Sequence, residues 1–281
     1  MKSILAALLS LFVAGNVLAQ VPACCQKPAG SGFMAMANTA AFMSAHEAPL
    51  PLDYKTDRGS IVTFNTLDGK KGRAFYVPSP AGTDKVLILF HEWWGLNDYI
   101  KREAVRWQDL LGNVDVYAVD LYDGKVATTP EMASNLSGSL DVRRTDNIIK
   151  GALAKAGKNN QIATLGWCLG GSYAFTAAVN AGMQARGCVM YYGFPEKDVK
   201  RIKPLQTDVL FVQALQDQFI TTEMIKTFQE QVRATNHEFK WESFDAVHAF
   251  ANPSNPKHNA DAAAKAEVLT VQFLKEKLGL E

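Results

Sequence analysis

The sequence predicts an α/β fold: a mainly parallel sheet with helices on both faces. Apolar runs of strand length, such as VLILF (86–90) and DVLFVQAL (208–215), alternate with longer segments of helical spacing. Those runs are continuously apolar, as strands covered on both faces have to be. The residues that follow them are reactive or charged types, and open α/β sheets place their sites beyond the carboxyl ends of their strands.

In chain order, residues 1–19 read as a secretory signal. Lys2 is followed by an apolar run from Ile4 to Val13, and small residues end at Ala19, the expected last residue before cleavage. The run is shorter than the roughly 20 residues a spanning helix needs, so no stable membrane insertion is expected after cleavage. Export to a periplasmic or extracellular space follows as an expectation. Residues 20–52 form an N-terminal extension ending in APLPLD. Within it, FMAMANTAAFMSAHE suits a short helix with Phe33, Ala37 and Phe42 near one face. The extension reads as an arm packed on the domain or without fixed structure, with a lid over an active site as the alternative.

The domain proper spans 53–281. IVTFNT and GRAFYV flank Asp68-Gly69 and predict a hairpin. VLILF is a buried strand, YIKREAVRWQDLLG a helix and DVYAVDLY the next strand. Residues 129–156 read mainly as helix, and Arg143 and Arg144 within them as exposed. QIATLGW is a strand, and GGSYAFTAAVNAG a small-residue helix suited to close packing on a sheet. GCVMYY, DVLFVQAL and EFKWESF are three further strands, the last two separated by the helix TTEMIKTFQEQVRA. The final helix, from about Asn259 to Leu278, is expected to bury Val268, Phe273 and Leu274. No internal repeat or second-domain linker interrupts the succession.

Three of these strand ends carry a nucleophile, an acid and a base in that order. Cys168 follows QIATLGW inside LGWCLGGS, Asp217 follows DVLFVQAL, and His248 follows EFKWESF. Gly-x-Cys-x-Gly is the spacing of a sharp strand-to-helix turn that lifts a nucleophile out of a sheet, and the chain order is that of an α/β-hydrolase triad. Gly166, Gly170 and Gly171 allow the reversal by lacking side chains. The helix that follows directs its N-terminus at the sulfur and favours thiolate. His248 is then the base, and Asp217 holds its tautomer. Two backbone N–H groups, at Leu169 and near Trp93, are the expected oxyanion donors.

HEWWGLN, DLYDGKVAT, GWCLGG, the acid in LQDQFI, and HAFAN together resemble the dienelactone hydrolase family, a cysteine-nucleophile branch of the α/β-hydrolases. The resemblance runs from about Ser60 to the C-terminus. It implies an α/β-hydrolase fold, a Cys168–His248–Asp217 triad, and hydrolysis of small esters or lactones through an acyl-cysteine, with no cofactor or metal. It also implies that Glu92 contacts the resting thiol and helps to activate it, and that the amides of Trp93 and Leu169 form the oxyanion hole. Trp94, Tyr122 and Asn252 are the candidate pocket residues. The sequence departs from the family prototypes at Asn252, where they place an arginine that grips a substrate carboxylate. A second such arginine, after DLY, has no match, and Val247 replaces a glycine before the histidine. The resemblance therefore implies cysteine-hydrolase chemistry without implying dienelactone itself as substrate.

Composition excludes other classes. A formal charge of +1 over 281 residues offers no basic surface for nucleic acid, so the expected partner is a small molecule. His46, His237 and His258 lack metal-ligand spacing and read as surface residues. Of the four cysteines, Cys188 lies in an apolar strand and reads as core. Cys24 and Cys25 are adjacent and open an alternative, an exported redox or metal-handling protein using that pair with Cys168. That alternative leaves Asp217, His248 and the turn without a purpose. A hydrolase-fold binding protein without catalysis is the remaining one, though no triad residue is missing. Oligomeric state has no signature in the sequence.

Overall fold

A computed structural model describes residues 31–281; the expected signal segment 1–19 and Cys24-Cys25 lie outside the described residues. The strands are β1 (Ser60–Asn65), β2 (Lys71–Val77), β3 (Lys85–Phe90), β4 (Asp115–Val119), β5 (Gln161–Trp167), β6 (Ala185–Tyr191), β7 (Val209–Ala214) and β8 (Phe239–Phe244). They form one sheet in the order β1-β2-β4-β3-β5-β6-β7-β8. β1–β2 and β2–β4 pair antiparallel, and every other neighbour pair is parallel. The expected hairpin is β1–β2, closed by Gly69 at φ 76°, a left-handed conformation that suits glycine.

The helices are α1 (Ser31–Ala37), α2 (Ala40–Ala45), α3 (Asp98–Leu111), α4 (Pro130–Gly138), α5 (Val142–Ala156), α6 (Leu169–Ala181), α7 (Val199–Ile202), α8 (Thr222–Arg233) and α9 (Ala260–Leu278). Strand β7 shows why the sheet needs cover on both sides. Its Leu210, Val212 and Ala214 pack into the core shared with α9, while Val209 and Phe211 pack with Phe175 of α6 and Phe228 of α8. Alternate residues thus bury on opposite faces, the period-2 consequence of strand geometry. The 129–156 stretch is two helices rather than one. Asp141 separates them, its carboxylate accepting from the Arg143 and Arg144 amides and capping α5.

Two expectations are corrected here. Val268 is 66 % exposed, because the face α9 buries runs through Ala262, Ala266, Thr270, Phe273 and Leu274, and Val268 lies opposite it. Arg144 is not a free surface cation: it pairs with Asp123 at 2.6 Å and Asp68 at 3.2 Å and donates to the Lys71 carbonyl at 2.6 Å. The guanidinium ties the β1–β2 hairpin and the loop after β4 to α5.

In the extension, Phe33, Ala37 and Phe42 are fully buried, on two short helices rather than the one expected. The break falls at Thr39, whose hydroxyl accepts from the Phe42 amide and starts α2 afresh. Both helices contact α4. Among the described residues no helix is long and apolar enough to cross a membrane.

Candidate active site

The reversal between β5 and α6 is built from backbone contacts. Cys168 sits at φ 54°, ψ −116°, a conformation that costs a non-glycine residue about 1–3 kcal/mol. A Cβ on Gly166 would overlap the Gly170 carbonyl, and one on Gly170 would overlap the Phe90 carbonyl at the end of β3. The chain can therefore turn this tightly only with hydrogen at those two positions. Leu169 opens α6, so its amide has no carbonyl one turn earlier to receive it, and it faces the sulfur instead.

Loops at the same end of the sheet bring the partners in. His248 Nε2 lies 3.2 Å from Cys168 Sγ, and His248 Nδ1 lies 2.6 Å from Asp217 Oδ2. A carboxylate only accepts, so Nδ1 carries the proton and Nε2 faces the thiol. The other Asp217 oxygen accepts from the Phe219 and Ile220 amides at 2.8 and 3.0 Å, which fixes the carboxylate. Burial disfavours charge on Asp217, but His248 and those amides outweigh it and hold its pKa below the usual range. Burial would likewise lower His248, yet Asp217 and Cys168 carry it well above an ordinary imidazole. Burial raises the Cys168 thiol, with His248 pulling against it. The thiol is thus a poor acid by itself and depends on a strengthened base.

Glu92 follows β3 and is buried. Tyr192 Oη donates to its Oε1 at 3.2 Å, and Asn252 Nδ2 donates to its Oε2. Asn252 Oδ1 in turn accepts from the Ser254 amide and hydroxyl at 2.8 and 2.7 Å. Burial raises Glu92 to about 7 despite these donors. Glu92 and Cys168 line the same cavity, but the thiol's hydrogen bond goes to His248, while Tyr192 and Asn252 hold the two carboxylate oxygens. Asn252 lines the cavity as expected, but its amide serves as a clamp on Glu92.

The loop carrying Trp93 is held by a buried imidazole. His91 Nε2 accepts from the Leu121 amide at 3.1 Å, so Nδ1 carries the proton and donates to the Glu92 carbonyl at 2.6 Å. In a planar trans peptide the carbonyl and the next N–H point oppositely, so pinning the Glu92 carbonyl aims the Trp93 amide away from His91. Tyr122 Oη donates to the Trp93 carbonyl at 3.0 Å. Tyr122 is therefore a buried support for this loop and not a residue of the cavity wall. Trp94 and Trp93 do line the cavity, with Glu92, Cys168, Ala249 and Asn252.

Sequence reasoning missed what closes that cavity. His46, expected on the surface, is only 7 % exposed and packs 5.2 Å from His248 and 5.4 Å from Trp93, centroid to centroid. Phe42 stacks on it at 3.8 Å. His46 Nδ1 donates to the Phe42 carbonyl at 2.7 Å, while its Nε2 is buried without a hydrogen-bond partner. Burial, aided by His248, lowers His46 to about 3 and keeps the ring neutral. About 10 Å³ of free volume is left beside the sulfur, room for roughly one water. The described part of the extension packs on the domain, and His46 at the end of α2 lies against the site. His46 gave no signal in the sequence, since its role depends on where α2 docks. Tyr192 gave one: it follows β6 at the reactive end of the sheet. His258 is exposed, as expected, its Nδ1 donating to the Phe250 carbonyl at 2.8 Å. Cys188 is buried in the core as expected.

Residues 73–278 match the model of the dienelactone hydrolase family. The chain is 27% identical over 227 residues to a carboxymethylenebutenolidase of Pseudomonas sp. (strain P51), covering 75% of this chain and 93% of that protein. It is 28% identical over 227 residues to a carboxymethylenebutenolidase of Pseudomonas putida, covering 75% and 91%. Among solved structures, the dienelactone hydrolase-like promiscuous phosphotriesterase P91 from metagenomic libraries superposes with a TM-score of 0.65 at 18% identity. That match covers 80% of this chain and all of that one.

Proposed function

The chain belongs to the dienelactone hydrolase family, hydrolases of ester and lactone bonds, and on that footing we propose that it cleaves small uncharged esters or lactones through an acyl-cysteine. The observation that carries the reading is the continuous hydrogen-bond line Cys168–His248–Asp217, at 3.2 and 2.6 Å. His248 takes the thiol proton as Cys168 Sγ attacks the carbonyl carbon. The oxyanion is received by the amides of Leu169 and Trp93. His248 then protonates the leaving alcohol, and water, deprotonated by His248, releases the acid and restores the thiol.

The cavity wall supports an uncharged substrate. Its acidic residues are Glu47 and Glu92, and no lysine or arginine lines it; Asn252 stands where an arginine would grip a carboxylate. Export from the cell, inferred from residues 1–19, completes the proposal. The test is turnover of activated neutral esters, beside esters bearing a free carboxylate, by the wild type and by Cys168→Ala and His248→Ala. Each substitution should lower kcat by about 10³-fold or more. Unchanged turnover in either variant rejects the triad, and a preference for the carboxylate-bearing esters rejects the substrate class.

A further inference from the structure

We propose that His46, Cys168 and His248 form a binding site for one borderline-soft transition cation, with Zn²⁺ the fitting probe, and that its occupation holds the nucleophile idle. The idling rests on the reading of Cys168 as nucleophile; the coordination does not.

The donor set comes first. One ligand atom from each of these three buried residues lies within 4.8 Å of the others. A thiolate with two imidazoles is the chemistry that selects zinc or copper over magnesium or calcium. Zinc bonds of about 2.0–2.3 Å set tetrahedral edges of about 3.3–3.6 Å. The Cys168–His248 separation of 3.2 Å is already of that size, so His46 has to close by at most about 1.5 Å.

The outer partners point the same way. Metal-binding histidines donate their second ring N–H to a carboxylate or a backbone carbonyl, which fixes ring and tautomer. Both arrangements are present. His248 Nδ1 donates to Asp217 at 2.6 Å, and His46 Nδ1 donates to the Phe42 carbonyl at 2.7 Å. That leaves the His46 Nε2 lone pair buried and without a hydrogen-bond partner, a state that normally demands compensation. Hydrolysis gives His46 no task, whereas a cation would satisfy it. Glu92 lines the same cavity, so a carboxylate borders the proposed site. On binding, the Cys168–His248 pair loses its one shared proton to solvent, and the cation takes Sγ and Nε2; no electron is transferred. Nucleophile and base are then both engaged.

The test uses the full chain, stripped with chelator and titrated with ZnCl₂, with bound metal counted by equilibrium dialysis and elemental analysis. Cys24→Ser/Cys25→Ser serves as the background, so that metal held by that pair is not counted. One zinc per chain is expected in this background. His46→Phe, which keeps an aromatic ring in place, should weaken the affinity at least tenfold. Co²⁺ should give a thiolate-to-metal charge-transfer band that Cys168→Ser removes, a readout independent of His46 variants. Zinc should inhibit ester turnover with the affinity found by dialysis, and chelator should reverse it. Equal zinc affinity with and without His46→Phe in this background overturns the site. Hydrolysis without zinc binding overturns it too, while leaving the hydrolase reading intact. Zinc bound at this site with full turnover overturns the idling, and with it Cys168 as nucleophile.

Discussion

His46 and His248 face each other beside the sulfur of Cys168, their ring centroids 5.2 Å apart and their planes inclined by 67°. One imidazole belongs to the catalytic end of the sheet and the other to the N-terminal extension. The extension is therefore part of the site's wall, and most of what can be tested concerns how the wall and the site act on each other.

Phe42 holds that wall in place: its ring is fully buried, stacked on His46 and 4.9 Å from Phe219. Phe42→Ala should destabilise the protein by about 3 kcal/mol through the cavity it leaves. The same change should raise kcat/KM for bulky esters by about tenfold, by freeing a site that has room for roughly one water. Kinetics on a series of acyl chains checks this. An equal effect on small and large esters would reject a gating role for α2.

Asp217→Asn should lower kcat by about 10²–10⁴-fold with little change in Tm. An asparagine oxygen still accepts from the Phe219 and Ile220 amides, but its NH₂ group can present the wrong partner to His248. A pH–rate profile beside a thermal melt separates this from unfolding.

Glu92 supplies a stability prediction with a definite sign. Its folded pKa of about 7 lies above the usual carboxyl value, so the folded state binds the proton more tightly than the unfolded state. Stability from this group is fully present below about pH 4.5 and is lost as pH rises towards 7. The whole interval corresponds to on the order of 3 kcal/mol. Glu92→Gln should therefore gain stability relative to the wild type between pH 4.5 and 7. Denaturant unfolding at several pH values reads it, and a gap that does not change with pH would contradict it.

Arg144→Ala should lower Tm by about 2–6 °C, since it unties two carboxylates and a strand carbonyl at once. Arg144→Lys should recover only part of the loss, because an ammonium cannot reproduce the planar fork. Complete recovery would mean that charge alone matters there.

The succession of strands and the residues at their ends could be read in advance because period and chain order are local properties. Continuous apolar runs gave the parallel strands, and Cys168, Asp217 and His248 could be placed at strand ends without knowing a single contact. The supporting shell could not be found this way. Tyr192 and Asn252 clamp Glu92, and His91 pins the Trp93 loop, only because separate loops converge in space. His46 was illegible for the same reason: its burial depends on where α2 docks on the domain. Val268 and Arg144 were misplaced by a turn-level matter, the choice of which helix face meets the sheet.

The turn at Cys168 bears on how such a protein can change over evolutionary time. Its close approaches run between main-chain atoms, Gly166 to Gly170 and Gly170 to Phe90. Substitution at either glycine would damage the turn, whereas the side chain at 168 takes no part in those contacts. A lineage could therefore exchange sulfur for oxygen at that one atom and inherit the approach geometry unchanged. Position and reagent are specified by different residues, so the reaction can diversify while the architecture stays fixed.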